Sequence, residues 1–97
     1  MQKKALVVTI EFETESYPHS LRALLDHRQR CIDTEPGTLQ FEVLEPEGNK
    51  NTVILFEVYA NAAALNDHNS GHSLALFKEQ VGSSIKMASH RSAAVID

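Results

Sequence analysis

Two histidines four residues apart, His68 and His72, are the first residues here whose types and spacing suggest chemistry. Imidazole ordinarily titrates close to neutral pH, so a histidine facing a pocket can take a proton from a phenol or quinol. On one continuous helix the two rings would also share a face, an arrangement that can suit zinc. Ser70 and Gly71 stand between them, however, and no third ligand such as a neighbouring glutamate accompanies them. No metal is therefore expected. In the structural alternative, one ring packs at a sheet edge and the other caps a helix.

A pocket that ionises a small molecule needs few parts. A base makes the electron-rich anion, a donor stabilises the oxyanion, and a dry cavity protects the intermediate. Candidate donors are Asn69, Tyr59 and Arg28, and candidate walls are Phe41, Phe56, Phe77 and Leu74. Glu57 interrupts an apolar run, and an unpaired buried carboxylate is costly. Pairing with Arg28 or Arg91, or across an interface, competes with a role in binding. Arg28 could equally lay its stem on an apolar helix face with its head in water. Cys31 reads as a small core residue, reactive only beside a base that lowers its pKa. His19, His27 and His90 read as surface residues, with His90 able to reach an interface.

The elements that must position these groups follow from hydrophobic periodicity. Residues 4–13 alternate as a strand, with Leu6, Val8, Ile10 and Phe12 on one face. A helix over roughly 18–34 starts after Ser16 or Tyr17, with Pro18 in its first turn. Its apolar positions are Leu21, Leu24, Leu25, Cys31 and Ile32, with a gap at Arg28. Glu35-Pro36-Gly37 stops it. Residues 38–45 make a second strand, with Leu39, Phe41 and Val43 on one face. A turn at Pro46–Asn51 leads to a third strand over 52–60, completing a hairpin with a long loop. Asn61 caps a short helix ending near His68, Asn69-Ser70-Gly71 interrupts it, and a second piece runs from about His72 to Val81. Residues 86–96 form the last strand. The order β-α-β-β-α-β is the split pattern of an α+β, ferredoxin-like fold: an antiparallel four-stranded sheet with helices on one face.

The third strand is apolar on both faces, with Val53, Leu55 and Tyr59 on one and Ile54, Phe56 and Val58 on the other. One covered and one solvated face would instead show polar-out alternation. A homodimer packed sheet to sheet explains this better than scattered surface hydrophobics. At 97 residues, with 42% hydrophobic and 23% charged residues, the chain reads as a single domain spanning 1–97. Its formal net charge of −4 and scattered basic residues argue against nucleic acid. No apolar run approaches the roughly 18 residues of a membrane helix, and nothing resembles a signal peptide. With one cysteine and hence no internal disulfide, the chain reads as cytoplasmic.

Glu35-Pro36-Gly37 followed by Thr38-Leu39-Gln40-Phe41-Glu42-Val43 resembles the junction into the second strand of antibiotic biosynthesis monooxygenase domains. Phe56-Glu57-Val58-Tyr59, then Ala64-Leu65, His68, His72 and Phe77, resemble that family's third strand and broken second helix. The element order agrees over essentially the whole chain. The resemblance implies a dimeric α+β barrel. It also implies oxidation of a quinol-like or polyphenolic small molecule by O2 with no cofactor, neither metal nor flavin. Haem degradation, known in other members, ranks lower because the chain has no tryptophan. A related branch isomerises a phosphorylated sugar dione, but no clear Arg and Lys cluster is present for a phosphate. A non-catalytic binding or stress-response dimer is the reading from another class, favoured if no histidine faces the pocket.

Overall fold

A computed structural model describes residues 2–96; Met1 and Asp97 lie outside the described residues. The chain runs β1 (Lys4–Phe12), α1 (Tyr17–Thr34), β2 (Thr38–Leu44), β3 (Thr52–Tyr59), α2 (Ala62–Asn69), α3 (His72–Val81) and β4 (Ile85–Ala94). The four strands form one antiparallel sheet in the order β2-β3-β1-β4. This is the ferredoxin-like architecture expected from the periodicity, with the second helical region divided into α2 and α3.

Pairing decides which side chains meet. Leu6, Val8 and Ile10 of β1 stand opposite Glu57, Leu55 and Val53 of β3. The same three stand opposite Ser92, His90 and Ala88 of β4. Because side chains alternate along a strand, all of these point to one face of the sheet. That face carries the core, where Ile10, Phe12, Phe41, Val53 and Leu55 pack against Leu24, Cys31, Phe77 and Val81 from the helices.

The α1 stripe differs from the expected one. Ser20, Ala23, Leu24, His27 and Cys31 are buried, whereas Leu25 and Ile32 are 41% and 42% exposed. The stripe therefore passes through His27, which fills the apparent gap and is not a surface residue. Leu25 and Ile32 each lie one residue beyond it, about 100° around the helix. Leu39 is likewise exposed: β2 shifts register against β3 between Thr38 and Gln40, so Leu39 drops out of the alternation that would have aligned it with Phe41.

Local chemistry sets the ends of α2, the element that carries His68. The Asn61 side chain accepts a hydrogen bond from the Ala64 amide at 2.9 Å, satisfying one of the free donors at the helix start. At the other end the Ser70 hydroxyl donates to the Asn66 carbonyl at 3.0 Å, and the Gly71 amide donates to that of His68 at 3.1 Å. Gly37 lets the β2 approach sit close to α2, since a Cβ there would run into the Cβ of Ala64.

Candidate active site

His68 is 3% exposed and sits among four elements. Its Nδ1 lies 2.9 Å from Glu35 Oε1, just after α1, and its Nε2 lies 3.7 Å from Glu57 Oε1 on β3. The Tyr59 ring is 5.1 Å away and that of His27 5.8 Å away, both tilted against it. Glu35 is fixed in turn by the Thr38 hydroxyl, which donates to Oε1 at 2.8 Å. A neutral ring donating from Nδ1 to Glu35 keeps its lone pair on Nε2.

Glu57 finds neither of the arginine partners expected for it. The Tyr59 hydroxyl donates to its Oε1 at 2.5 Å, and His68 stands beyond. Arg28 instead donates from Nε to the Phe41 carbonyl at 2.6 Å, while Arg91 faces the opposite side of the sheet, across from Val7. Burial holds the Glu57 carboxyl above the ordinary range, opposed by the Tyr59 hydrogen bond and the neighbouring His68 ring. Burial, with the Glu57 charge and hydrogen bond, also raises the Tyr59 phenol.

A second buried cluster adjoins the first. His27 stacks on Phe77 at 4.9 Å and meets Phe41 edge-on at 5.7 Å, and its Nδ1 lies 2.9 Å from the Ser73 hydroxyl. Burial pushes the His27 imidazole down to about 4, helped by the neighbouring His68 ring and the charge of Arg30. Cys31 Sγ lies 3.6 and 3.7 Å from the two ring nitrogens of His27 and 3.8 Å from His68 Nδ1. Burial pushes this thiol up to about 12, so at neutral pH it is a packed thiol rather than a nucleophile.

From these clusters, His68, Glu57, His27 and Phe77 line a cleft of about 440 Å³ between the sheet and α2–α3. Leu6, Val8, Ile10 and Leu55 floor it, and Leu65, Leu74 and Phe77 wall it. The cleft opens along β4, where no helix covers Ala88, His90 and Ser92. Glu57, His68, His27, Asn69 and Lys78 supply most of its remaining polarity.

The structure thus brings together His68, Glu57, Asn69, Leu74 and Phe77. Tyr59 stands one shell behind through Glu57, and Phe41 behind His27. His72 begins α3 and is exposed, outside the cleft lining, because the Ser70-Gly71 break separates it from His68. Phe56 points to the opposite sheet face, and Arg28 is spent on the Phe41 carbonyl. Sequence reasoning missed Glu35, His27, Lys78 and His90. Spacing could have found His27, which lies three residues after Leu24 and four before Cys31. The others depend on strand register and helix placement.

A four-stranded antiparallel sheet with a helix-roofed cleft over one face defines a small α+β protein of the ferredoxin-like class. The sequence profile of the antibiotic biosynthesis monooxygenase family matches residues 5–80, and the chain belongs to that family. A Caulobacter crescentus CB15 protein named for this family superposes with a TM-score of 0.94 at 15% identity, over 99% of this chain and 92% of that one. One from Bacteroides thetaiotaomicron VPI-5482, also named for it, gives 0.89 at 20% identity, over 98% and 90%. A conserved protein of Methanosarcina mazei Go1 gives 0.87 at 12% identity, over 96% and 92%. Likeness at these identities establishes the fold. No curated protein matches the sequence. No helix among the described residues is long and apolar enough to cross a membrane.

Proposed function

We propose that this protein oxidises a quinol-like or polyphenolic small molecule with O2 in the cleft beneath α2 and α3, using His68 as the base. The observation that carries this reading is His68 itself. It is buried in the lining of an apolar cleft, held through Nδ1 by Glu35 and directed through Nε2 toward the cleft residue Glu57. Such a ring takes a phenolic proton at Nε2, and Glu35 steadies the imidazolium that results. Asn69 supplies an amide donor near the oxyanion, and the aliphatic floor limits water around the reactive intermediate.

The reaction balances without an external reductant. A hydroquinone and O2 give a hydroxyquinone and water. The ring supplies all the electrons, one oxygen atom becomes the new hydroxyl, and the other leaves as water. A histidine in the lining weighs against a pocket that only binds. Lys78 as the one lysine in the lining, with no arginine beside it, weighs against a sugar phosphate.

The working unit in this reading is a homodimer. The sheet face away from the helices carries Val7 at 40%, Leu44 at 47% and Met87 at 67% exposure, beside half-buried Ile54 and Phe56. Full burial of side chains this size is worth roughly 1.5–3 kcal/mol each, which a second copy packed sheet to sheet would supply. To test the activity, the protein would be incubated with a panel of hydroquinones while oxygen consumption and product are followed together. Equimolar oxygen loss and hydroxyquinone formation are expected. Oxygen loss that yields only the plain quinone and peroxide would refute oxygen insertion.

A further inference from the structure

We propose that Cys31, Glu35 and His68 form a binding site for a divalent transition-metal ion of the zinc type, set behind the cleft. One ligand atom from each lies within 4.8 Å of the other two. His68 Nδ1 is 2.9 Å from Glu35 Oε1 and 3.8 Å from Cys31 Sγ. Ligand atoms around a four-coordinate zinc, with bonds of about 2.0–2.3 Å, stand roughly 3.3–3.6 Å apart, so small side-chain movements admit an ion. These are not the pair suggested by sequence spacing, since His72 takes no part.

The surroundings are those of a built site. Cys31 and Glu35 are one helical turn apart, and the Glu35 amide donates to the Cys31 carbonyl at 3.0 Å, fixing their spacing. The Thr38 hydroxyl already orients the Glu35 carboxylate. On the far side of His68, Nε2 faces the Glu57 carboxyl at 3.7 Å. Metal-bound histidines typically donate their second ring N–H to a carboxylate, and Glu57 stands where that partner belongs. The His27 ring nitrogens, at 3.6 and 3.7 Å, and the Ser73 hydroxyl, at 3.7 Å, also stand close to Cys31 Sγ. Binding displaces the Cys31 thiol proton to solvent, and the resulting thiolate, with an imidazole and one carboxylate, selects zinc or cobalt over magnesium or calcium. Glu35, at 19% side-chain exposure, gives the ion a way in.

Occupancy has a consequence that rests on the reading of His68 as the base. A metal on Nδ1 moves the ring proton to Nε2, which then donates toward Glu57 and can no longer accept a proton from a phenol. Zinc would therefore switch the cleft off from behind.

Cobalt(II) is the probe, added to chelator-stripped protein under argon. The wild type is expected to develop intensified visible bands and a near-ultraviolet thiolate-to-cobalt charge-transfer band, saturating at one ion per chain. Cys31→Ser should lack the charge-transfer band, and Glu35→Gln should bind at least about tenfold more weakly. Glu35 is partly exposed, so its variant remains informative if Cys31→Ser does not fold. No charge-transfer band in folded wild-type protein, or the same band in Cys31→Ser, overturns the site. In the quinol assay, zinc should lower oxygen uptake about a hundredfold in the wild type and leave Cys31→Ser active. Cobalt binding without zinc inhibition would confirm the site and overturn its coupling to His68. The spectrum and the oxygen trace therefore fail independently.

Discussion

Acidification should strip stability from this fold through His27, and the amount can be worked from its surroundings. The ring is 2% exposed, stacked on Phe77 and packed edge-on to Phe41, and burial pushes its pKa from 6.5 to about 4. Between those values the unfolded chain takes a proton at His27 that the folded chain refuses. The contribution is fully present above about pH 6.5 and is lost as pH falls toward 4. A gap of about 2.5 pH units, at about 1.4 kcal/mol each, gives about 3.5 kcal/mol in all, most of it lost by pH 4. Against a typical total of about 5–15 kcal/mol that is a large fraction. Glu57 acts with the opposite sign. Its carboxyl is raised, so the folded chain keeps a proton that the unfolded chain releases, and stability falls as pH rises above about 4.5. The wild-type profile is therefore muted, and the informative quantity is a difference. Urea unfolding of wild type and His27→Gln would be measured at pH 7, 5.5 and 4, at one protein concentration and with chelator present. The advantage of the wild type should shrink, or its deficit grow, by about 3 kcal/mol from pH 7 to pH 4. A difference that stays constant with pH would refute the claim that His27 is buried in its neutral form.

Three smaller perturbations probe other parts of the account. Gly37→Ala places a methyl group against Ala64 and should destabilise by about 1–3 kcal/mol, read by urea unfolding. Asn61→Ala removes the cap of the helix that carries His68 and should lose about 1 kcal/mol in the same assay. Val7→Lys sets a charge on the open face of a central strand. It should leave the circular dichroism unchanged while converting a dimer to monomer by analytical ultracentrifugation, and unaltered sedimentation would remove that face from the interface.

Period-two and period-3.6 patterns sufficed for the strands, the helices and the break at Ser70-Gly71, because each is fixed by residues adjacent in sequence. Glu57 was also visible as a carboxylate inside an apolar strand. Its partners were not. Tyr59 is two residues further along the same strand face, but His68 reaches Glu57 only because α2 lies across β3, and no periodicity encodes a helix position. His27 was misread because a histidine in an apolar stripe looks polar, although its spacing from Leu24 and Cys31 places it inside. The cleft wall from β4 was out of reach for a different reason. That Val8 faces His90 and Leu6 faces Ser92 is a matter of register between strands far apart in the chain. His72 carried the right chemistry on the wrong side of a helix break.

That last distinction gives the most direct test of the central claim, that one buried histidine is the base. Initial oxygen uptake with a responsive hydroquinone would be compared for wild type, His68→Gln and His72→Gln, each confirmed folded by circular dichroism. The account predicts that His68→Gln loses about a hundredfold or more in rate while His72→Gln matches the wild type. Equal rates in all three proteins, or a loss confined to His72→Gln, would contradict it.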